Sequence, residues 1–167
     1  DSSFSLGVVK AKTEEELNET LKKMLDESDL VIGQEYAPTD FDWRIGVIEG
    51  KAFFACKYYM AKDHWQIYNW SSEDHEEIQG NFDCFALKDV PEFVIDLAEK
   101  STRIIGEGLY GVDIKELDGK AVIIEINDNP NIDFGIEDQV AGDAVYQKII
   151  DALKRKIYQR LGLTFEP

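Results

Sequence analysis

Leu117-Asp118-Gly119-Lys120 separates two β-rich runs, Leu109 to Glu116 and Ala121 to Asn127. An Asp-Gly pair supplies the two positive-φ positions of a type I′ turn, whose twist matches that of paired antiparallel strands. This stretch is therefore held to a hairpin more firmly than any other part of the chain. The turn sets the register: Lys115-Glu116 falls opposite Ala121-Val122, which brings Asp113 roughly across from Glu125. Side chains alternate along a strand, so Glu125 and Asn127, two apart, project to the same face as Asp113.

The rest of the chain alternates helices with further hairpin signals. Val8 to Ala11 is a short strand candidate. Thr13-Glu14-Glu15-Glu16 reads as a capping box opening a helix, with Leu17, Leu21, Met24 and Leu25 on one face and an end near Ser28. Leu30 to Tyr36, Trp43 to Glu49 and Ala52 to Met60 read as strands, the last two joined at Glu49-Gly50-Lys51. Residues 61–90 are polar and weakly periodic, a long loop with short strand or helix pieces. Pro91 opens a helix striped by Val94, Leu97, Ala98, Ser101, Ile104 and Ile105, and Gly106 or Gly108 stops it. After the Asp-Gly hairpin and a turn-rich loop over 128–142, a last helix runs from about Gly142 to Leu161. Helices interspersed with hairpins predict an α+β fold, an antiparallel sheet packed with helices, in a single domain over 1–167.

Composition narrows the partners. With 34 acidic and 18 basic side chains the net charge is −16, and no segment clusters Lys and Arg, so a nucleic-acid backbone would be repelled. At 44% hydrophobic and 11% aromatic the chain can bury a core, which excludes a disordered acidic tail. No apolar run approaches the roughly 20 residues that cross a bilayer, and the start lacks the order of a signal peptide. A cytoplasmic protein with no membrane partner is expected. Cys56 and Cys84, widely spaced and without a CxxC, are expected as reduced, buried thiols.

Three constellations could carry chemistry. Asp113, Glu125 and Asn127 place three hard oxygen donors on one sheet face. An unpaired carboxylate directed into an apolar sheet is costly, and two carboxylates with an amide oxygen suit Mg²⁺. The competing reading pairs Glu125 with a Lys or Arg and uses Asn127 to cap the next turn. Gln34-Glu35-Tyr36 followed by Asp42-Trp43-Arg44 is the second; Arg44 carries the fork that matches phosphate or carboxylate, the alternative being a surface ion pair with Asp42. The third is the small-residue run Ser2 to Gly7, which can present backbone amides to phosphate or be a frayed terminus.

Taken in order, these residues resemble the ATP-grasp superfamily, and within it the RimK-like carboxylate-amine ligases. The resemblance covers nearly the whole chain and is most specific at Gly111-Val112-Asp113 and Ile124-Glu125-Ile126-Asn127-Asp128-Asn129-Pro130. It implies that Asp113, Glu125 and Asn127 bind the Mg²⁺ (or Mn²⁺) ions bridging the ATP phosphates. It implies further that Gln34, Glu35 and Tyr36 contact adenine, and that Asp42 lies near the ribose. Arg44 would hold the transferred phosphate, and Ser3, Ser5 and Gly7 would belong to a loop folding over the phosphates. The family's phosphate-binding lysines fall before Asp1, so the resemblance implies the C-terminal portion of a larger enzyme, inactive alone. Lys57-Tyr58-Tyr59 stands where relatives often carry Arg, and the roles of Gln66 and Asn69 stay open.

The implied reaction is ATP-dependent amide formation between a small-molecule or peptide carboxylate and an amine acceptor, through an acyl phosphate. A non-catalytic module that keeps the fold is the alternative from another class, and an unrelated acidic α+β domain a third. A half-cleft exposes apolar surface through which copies can associate as a homo-oligomer. Part of the charge is concentrated at Asp113, Glu116, Asp118, Glu125, Asp128, Asp133, Glu137 and Asp138, which reads as cation-holding.

Overall fold

The computed structural model describes residues 7–72 and 78–164. The chain divides into two compact units, Asp1–Pro38 and Thr39–Pro167.

The first unit contains helix α1, Glu14–Glu27, which starts and stops where the capping signals put it. The Thr13 hydroxyl accepts the Glu16 amide at 3.2 Å. The reciprocal bond is shifted by one residue, for Glu16 Oε2 accepts the Lys12 amide at 2.7 Å. No α1 side chain is buried. Neither Val8–Ala11 nor Leu30–Tyr36 forms a strand. Apolar alternation makes a strand only where another backbone supplies hydrogen bonds. Among the described residues none pairs with these segments, and Ile32 is left 84% exposed.

The second unit is an antiparallel sheet with a helix against each face. Its strands are β1 (Phe41–Ile48), β2 (Lys51–Tyr59), β3 (Phe82–Phe85), β4 (Leu109–Leu117) and β5 (Lys120–Asn127). They lie in the order β3-β2-β1-β4-β5. Both tight turns have the chemistry their sequences demand: Glu49-Gly50 and Asp118-Gly119 all take positive φ. Helix α2, Glu92–Ile105, buries Val94, Ala98 and Thr102. It packs on the face formed by Trp43, Ile45, Val47, Tyr110, Val112 and Ile114. The expected α2 stripe is rotated: Ile104 is 89% exposed, and Thr102 takes the inner position because its hydroxyl donates to the Ala98 carbonyl at 3.1 Å. Pro91 is the N-cap residue and not the first helical one.

Helix α3, Ala144–Arg160, buries Val145 and Ala152 against Ile48, Phe53 and Phe54 on the opposite face. Phe53 is unmatched in the β1–β2 register, since Val47 faces Ala52 and Gly46 faces Phe54. That bulge turns both phenylalanines toward α3. Arg155 of α3 grips Glu49 with both carboxylate oxygens, at 3.1 and 2.6 Å. The hydrogen bond from Arg155 pulls the Glu49 carboxyl below its ordinary value. A lowered folded-state pKa stabilises above the unfolded pKa and is lost as pH falls. Glu49→Gln therefore lowers stability by about 0.5 kcal/mol at pH 7. In urea titrations the gap from the parent protein closes below about pH 4.

Candidate functional site

The α3 side of the sheet carries charge beyond the end that α3 covers. Arg44 on β1 faces Asp113 on β4, and Asp113 faces Glu125 on β5. Asn127 lies opposite Gly111 on the same face. The expected convergence of Asp113, Glu125 and Asn127 on one face is present, with Arg44 added to it. Residue Ile124 is unmatched between the Asp113–Glu125 and Ile114–Ile123 pairs, so a bulge sits beside the acidic pair.

Arg44 is held on three sides. Its guanidinium grips Asp113, Nε donating to Oδ1 and a terminal nitrogen to Oδ2, the latter at 2.9 Å. Its Cζ lies 5.7 Å from the Tyr58 ring centre. Pro130 closes the third side: a Cβ on Gly111 would lie 2.7 Å from the Pro130 Cβ and 3.2 Å from the Arg44 Cδ. Burial disfavours the Arg44 charge, but the paired Asp113 more than offsets it and the net pKa is raised. Arg44 is a fixed cation at any working pH. Gly111→Ala moves Pro130 and Arg44 together, and we expect thermal unfolding to report about 1–3 kcal/mol of lost stability, whereas Gly119→Ala, with open space around it, strains only its own turn.

Asp42 does not pair with Arg44. It accepts from Lys115 Nζ and from the Thr39 hydroxyl, the latter at 3.2 Å, and Lys115 also donates to Thr39 Oγ1 at 2.6 Å. Burial raises the Asp42 pKa; the Lys115 bond and charge oppose that shift and the Asp113 charge adds to it. Two ion pairs thus sit side by side with alternating sign, Asp42–Lys115 and Arg44–Asp113.

The cost argument for a cation holds only in part. Asp113 has Arg44 as partner, and Glu125 is exposed, so neither carboxylate is stranded in an apolar interior. Asn127 does what the competing reading gave it, its Oδ1 accepting the Asn129 amide at 3.0 Å. The donor set nevertheless fits a hard cation. Each Asp113 oxygen accepts one bond, Asn127 Oδ1 accepts one, and Glu125 accepts none among the described residues, so every donor keeps a lone pair. Among the described residues no group of three or more His, Cys, Asp or Glu is placed to hold a metal; this set counts two carboxylates and one amide.

Several members of the acidic run serve the protein's own donors. Glu137 is 2% exposed; it accepts the Tyr58 hydroxyl and the Asp133 amide, the latter at 2.8 Å. Asp138 accepts the Gly135 amide at 2.7 Å and the Tyr146 hydroxyl at 3.1 Å. Glu116 accepts the Trp43 indole N–H at 3.1 Å. Burial, then the bond to Glu137, pushes the Tyr58 phenol well above its ordinary range. The Tyr68 phenol is also raised by burial, with the Arg44 charge opposing, so both tyrosines lie in the field of the Arg44 site. Glu137 was expected to help hold a cation and instead holds Tyr58; Lys115, Tyr58 and Tyr68 were not expected as members of the site. Only Tyr58 had a local signal, the Lys57-Tyr58-Tyr59 departure.

Lys57 points to the other face, its ammonium 3.8 Å from the Phe41 ring centre and 4.6 Å from that of Trp43. The Tyr59 hydroxyl donates to Asp83 at 2.9 Å. The Gln66 side chain meets His64 at 3.4 Å, and Asn69 Oδ1 accepts the Ser71 amide at 3.2 Å. Gln34, Glu35 and Tyr36 belong to the first unit and are exposed, with the Lys10 ammonium 3.2 Å from the Tyr36 ring centre. Gly7 is exposed with a φ of 79°. Ser3 and Ser5 lie outside the described residues.

The cysteine expectation is overturned. Cys56 and Cys84 face each other on β2 and β3 and are joined as a disulfide. Spacing alone could not show this, because the pairing depends on the register of a short strand 28 residues away. Among the described residues no helix is long and apolar enough to cross a membrane.

No protein-family model matches the chain, and no curated protein matches it. Solved structures do. The D-alanine–D-alanine ligase of Bacillus anthracis matches with a TM-score of 0.63 at 16% identity, over 90% of this chain and 50% of that one. The same ligase complexed with ATP matches at 0.62 and 15% identity, over 93% and 53%. The ATP-grasp ligase PsnB complexed with minimal precursor matches at 0.50 and 17% identity, over 71% and 37%. The α+β fold is therefore one shared with ATP-grasp ligases, and the chain spans about half the length of the D-alanine–D-alanine ligase, 50% to 53%.

Proposed function

We propose that this chain is the C-terminal portion of an ATP- and Mg²⁺-dependent carboxylate-amine ligase of the RimK-like, glutamate-adding type, acting in the cytoplasm. The observation that carries the reading is the continuous set Arg44, Asp113, Glu125 and Asn127 on one face of a sheet shared with ATP-grasp ligases. A substrate carboxylate oxygen attacks the γ-phosphorus of ATP, ADP leaves and an acyl phosphate forms. An amine nitrogen then attacks the acyl carbon, phosphate departs, and the amide forms as the amine loses its proton.

Anions must approach one another in both steps, so the protein's task is electrostatic. Arg44, charged and fixed by Asp113 and Pro130, holds the oxygens of the phosphoryl group in transfer. Asp113, Glu125 and Asn127 would hold Mg²⁺ or Mn²⁺, which when bound neutralises phosphate charge and lowers the barrier to attack. The resemblance to ATP-grasp ligases assigns the ribose to Asp42 and the adenine to Gln34, Glu35 and Tyr36. The same resemblance assigns the phosphates to Ser3, Ser5 and Gly7. The carboxylate and amine partners are small molecules or peptides.

Calorimetry on the full-length protein tests the metal assignment. Glu125→Ala should weaken Mg·ADP binding roughly tenfold or more while leaving metal-free ADP unchanged. Equal affinities for Mg·ADP in parent and variant contradict the assignment.

One observation favours a second reading, a non-catalytic module. Asp113 and Asn127 already make bonds within the chain, as they would in a site with no metal to hold. In that case Mg²⁺ has no effect on nucleotide affinity in the parent protein, which the same titration reads.

A further inference from the structure

Arg44 has a cross-strand neighbour on each side, Asp113 on β4 and Cys56 on β2, and Cys56 in turn faces Cys84 on β3. One row thus crosses all five strands: Glu125, Asp113, Arg44, Cys56, Cys84. Its last two members are the disulfide. Cys56 is fully buried, whereas Cys84 is half-buried on a four-residue edge strand, so Cys84 is the more accessible of the two. Once reduced, the Cys84 thiol has an acceptor in place, since the Ile136 carbonyl oxygen lies 3.1 Å from its Sγ. Ile136 adjoins Glu137, which holds the Tyr58 hydroxyl, and the Phe82 ring of β3 lies 6.3 Å from the Tyr58 ring. Tyr58 in turn flanks Arg44.

We propose that Cys56–Cys84 is a thiol–disulfide exchange site, addressed at the β3 edge by a dithiol reductant, whose state sets how firmly β3 and residues 133–139 hold Tyr58 beside Arg44. A thiolate of the dithiol attacks Cys84 Sγ, the S–S bond breaks, and Cys56 leaves as a thiolate that takes up a proton. The second thiolate of the dithiol then displaces Cys84, which is also protonated. Two electrons and two protons pass to the protein, and the reductant ends as its own disulfide. Where thiols are kept reduced, the disulfides that do form are usually transient and redox-responsive. The exchange chemistry does not depend on the ligase reading.

The test uses the full-length protein, dithiothreitol and hydrogen exchange. Without reductant, N-ethylmaleimide under denaturing conditions should label neither cysteine; after dithiothreitol it labels both. Reduction should speed exchange at Phe82–Phe85 and across 133–139 about tenfold or more while leaving α2 unchanged. Cys84→Ser should reproduce the reduced pattern and make it insensitive to dithiothreitol. Labelling of both cysteines without reductant overturns the proposal. So does reduction of the parent protein that leaves exchange at 82–85 and 133–139 as it was, whether or not the variant folds.

Discussion

On the proposed ligase function, Arg44→Ala lowers ADP release by the full-length protein roughly hundredfold or more, because the cation assigned to the transferred phosphoryl group is gone. The same change destabilises the sheet. Arg44 and Asp113 are 20% and 16% exposed at their side chains, so removing one leaves a charge short of both water and a partner. Losing one member of such a pair costs about 3–5 kcal/mol. The double variant Arg44→Ala/Asp113→Ala isolates the effect on stability, because Asp113 is itself one of the residues assigned to Mg²⁺. Stability returns in part, since no lone charge is left, while ADP release stays lost. Recovery of activity together with stability would place Arg44 in the fold and not in the chemistry.

Glu137→Ala has the second large effect, and it is on stability. The Tyr58 hydroxyl and the Asp133 amide both lose their acceptor at a position only 2% exposed. Each unsatisfied buried donor costs about 1–3 kcal/mol, and a cavity adds to that. Urea unfolding should show a lowered midpoint at unchanged slope, corresponding to about 2–4 kcal/mol of lost stability. Glu137→Gln keeps an acceptor oxygen for Tyr58 and should lose less than half as much. Tyr58→Phe combined with Glu137→Leu removes donor and acceptor together and should be milder than the two single effects summed, with a coupling of about 1–3 kcal/mol. A Glu137→Ala protein as stable as its parent contradicts the network.

Much of the fold was legible where the signal was local. The Asp118-Gly119 turn fixed its hairpin because its backbone requirement is met by those two residues alone, and Asp113 opposite Glu125 follows from counting away from it. Thr13 and Gly106 bounded helices for the same reason. What was not legible depends on partners far along the chain. Leu30–Tyr36 has the alternation of a strand, but alternation says nothing of whether a neighbouring backbone exists. Lys115 meets Asp42 from 73 residues away, and Glu137 meets Tyr58 from 79, so neither could be paired by spacing. The acidic run after Asp113 looked like a cation site because counting charge does not reveal which carboxylates already hold a tyrosine hydroxyl or a backbone amide.

The most direct test of the central claim is Mg²⁺-dependent ADP release by the full-length protein, measured with ATP, glutamate and a panel of carboxylate- and amine-bearing amino acids and short peptides. The account predicts release that requires both a carboxylate and an amine. It also predicts that Asp113→Ala and Glu125→Ala each lose release roughly hundredfold or more. Full Mg²⁺-dependent release in both variants, with the same substrate requirement as the parent, contradicts it.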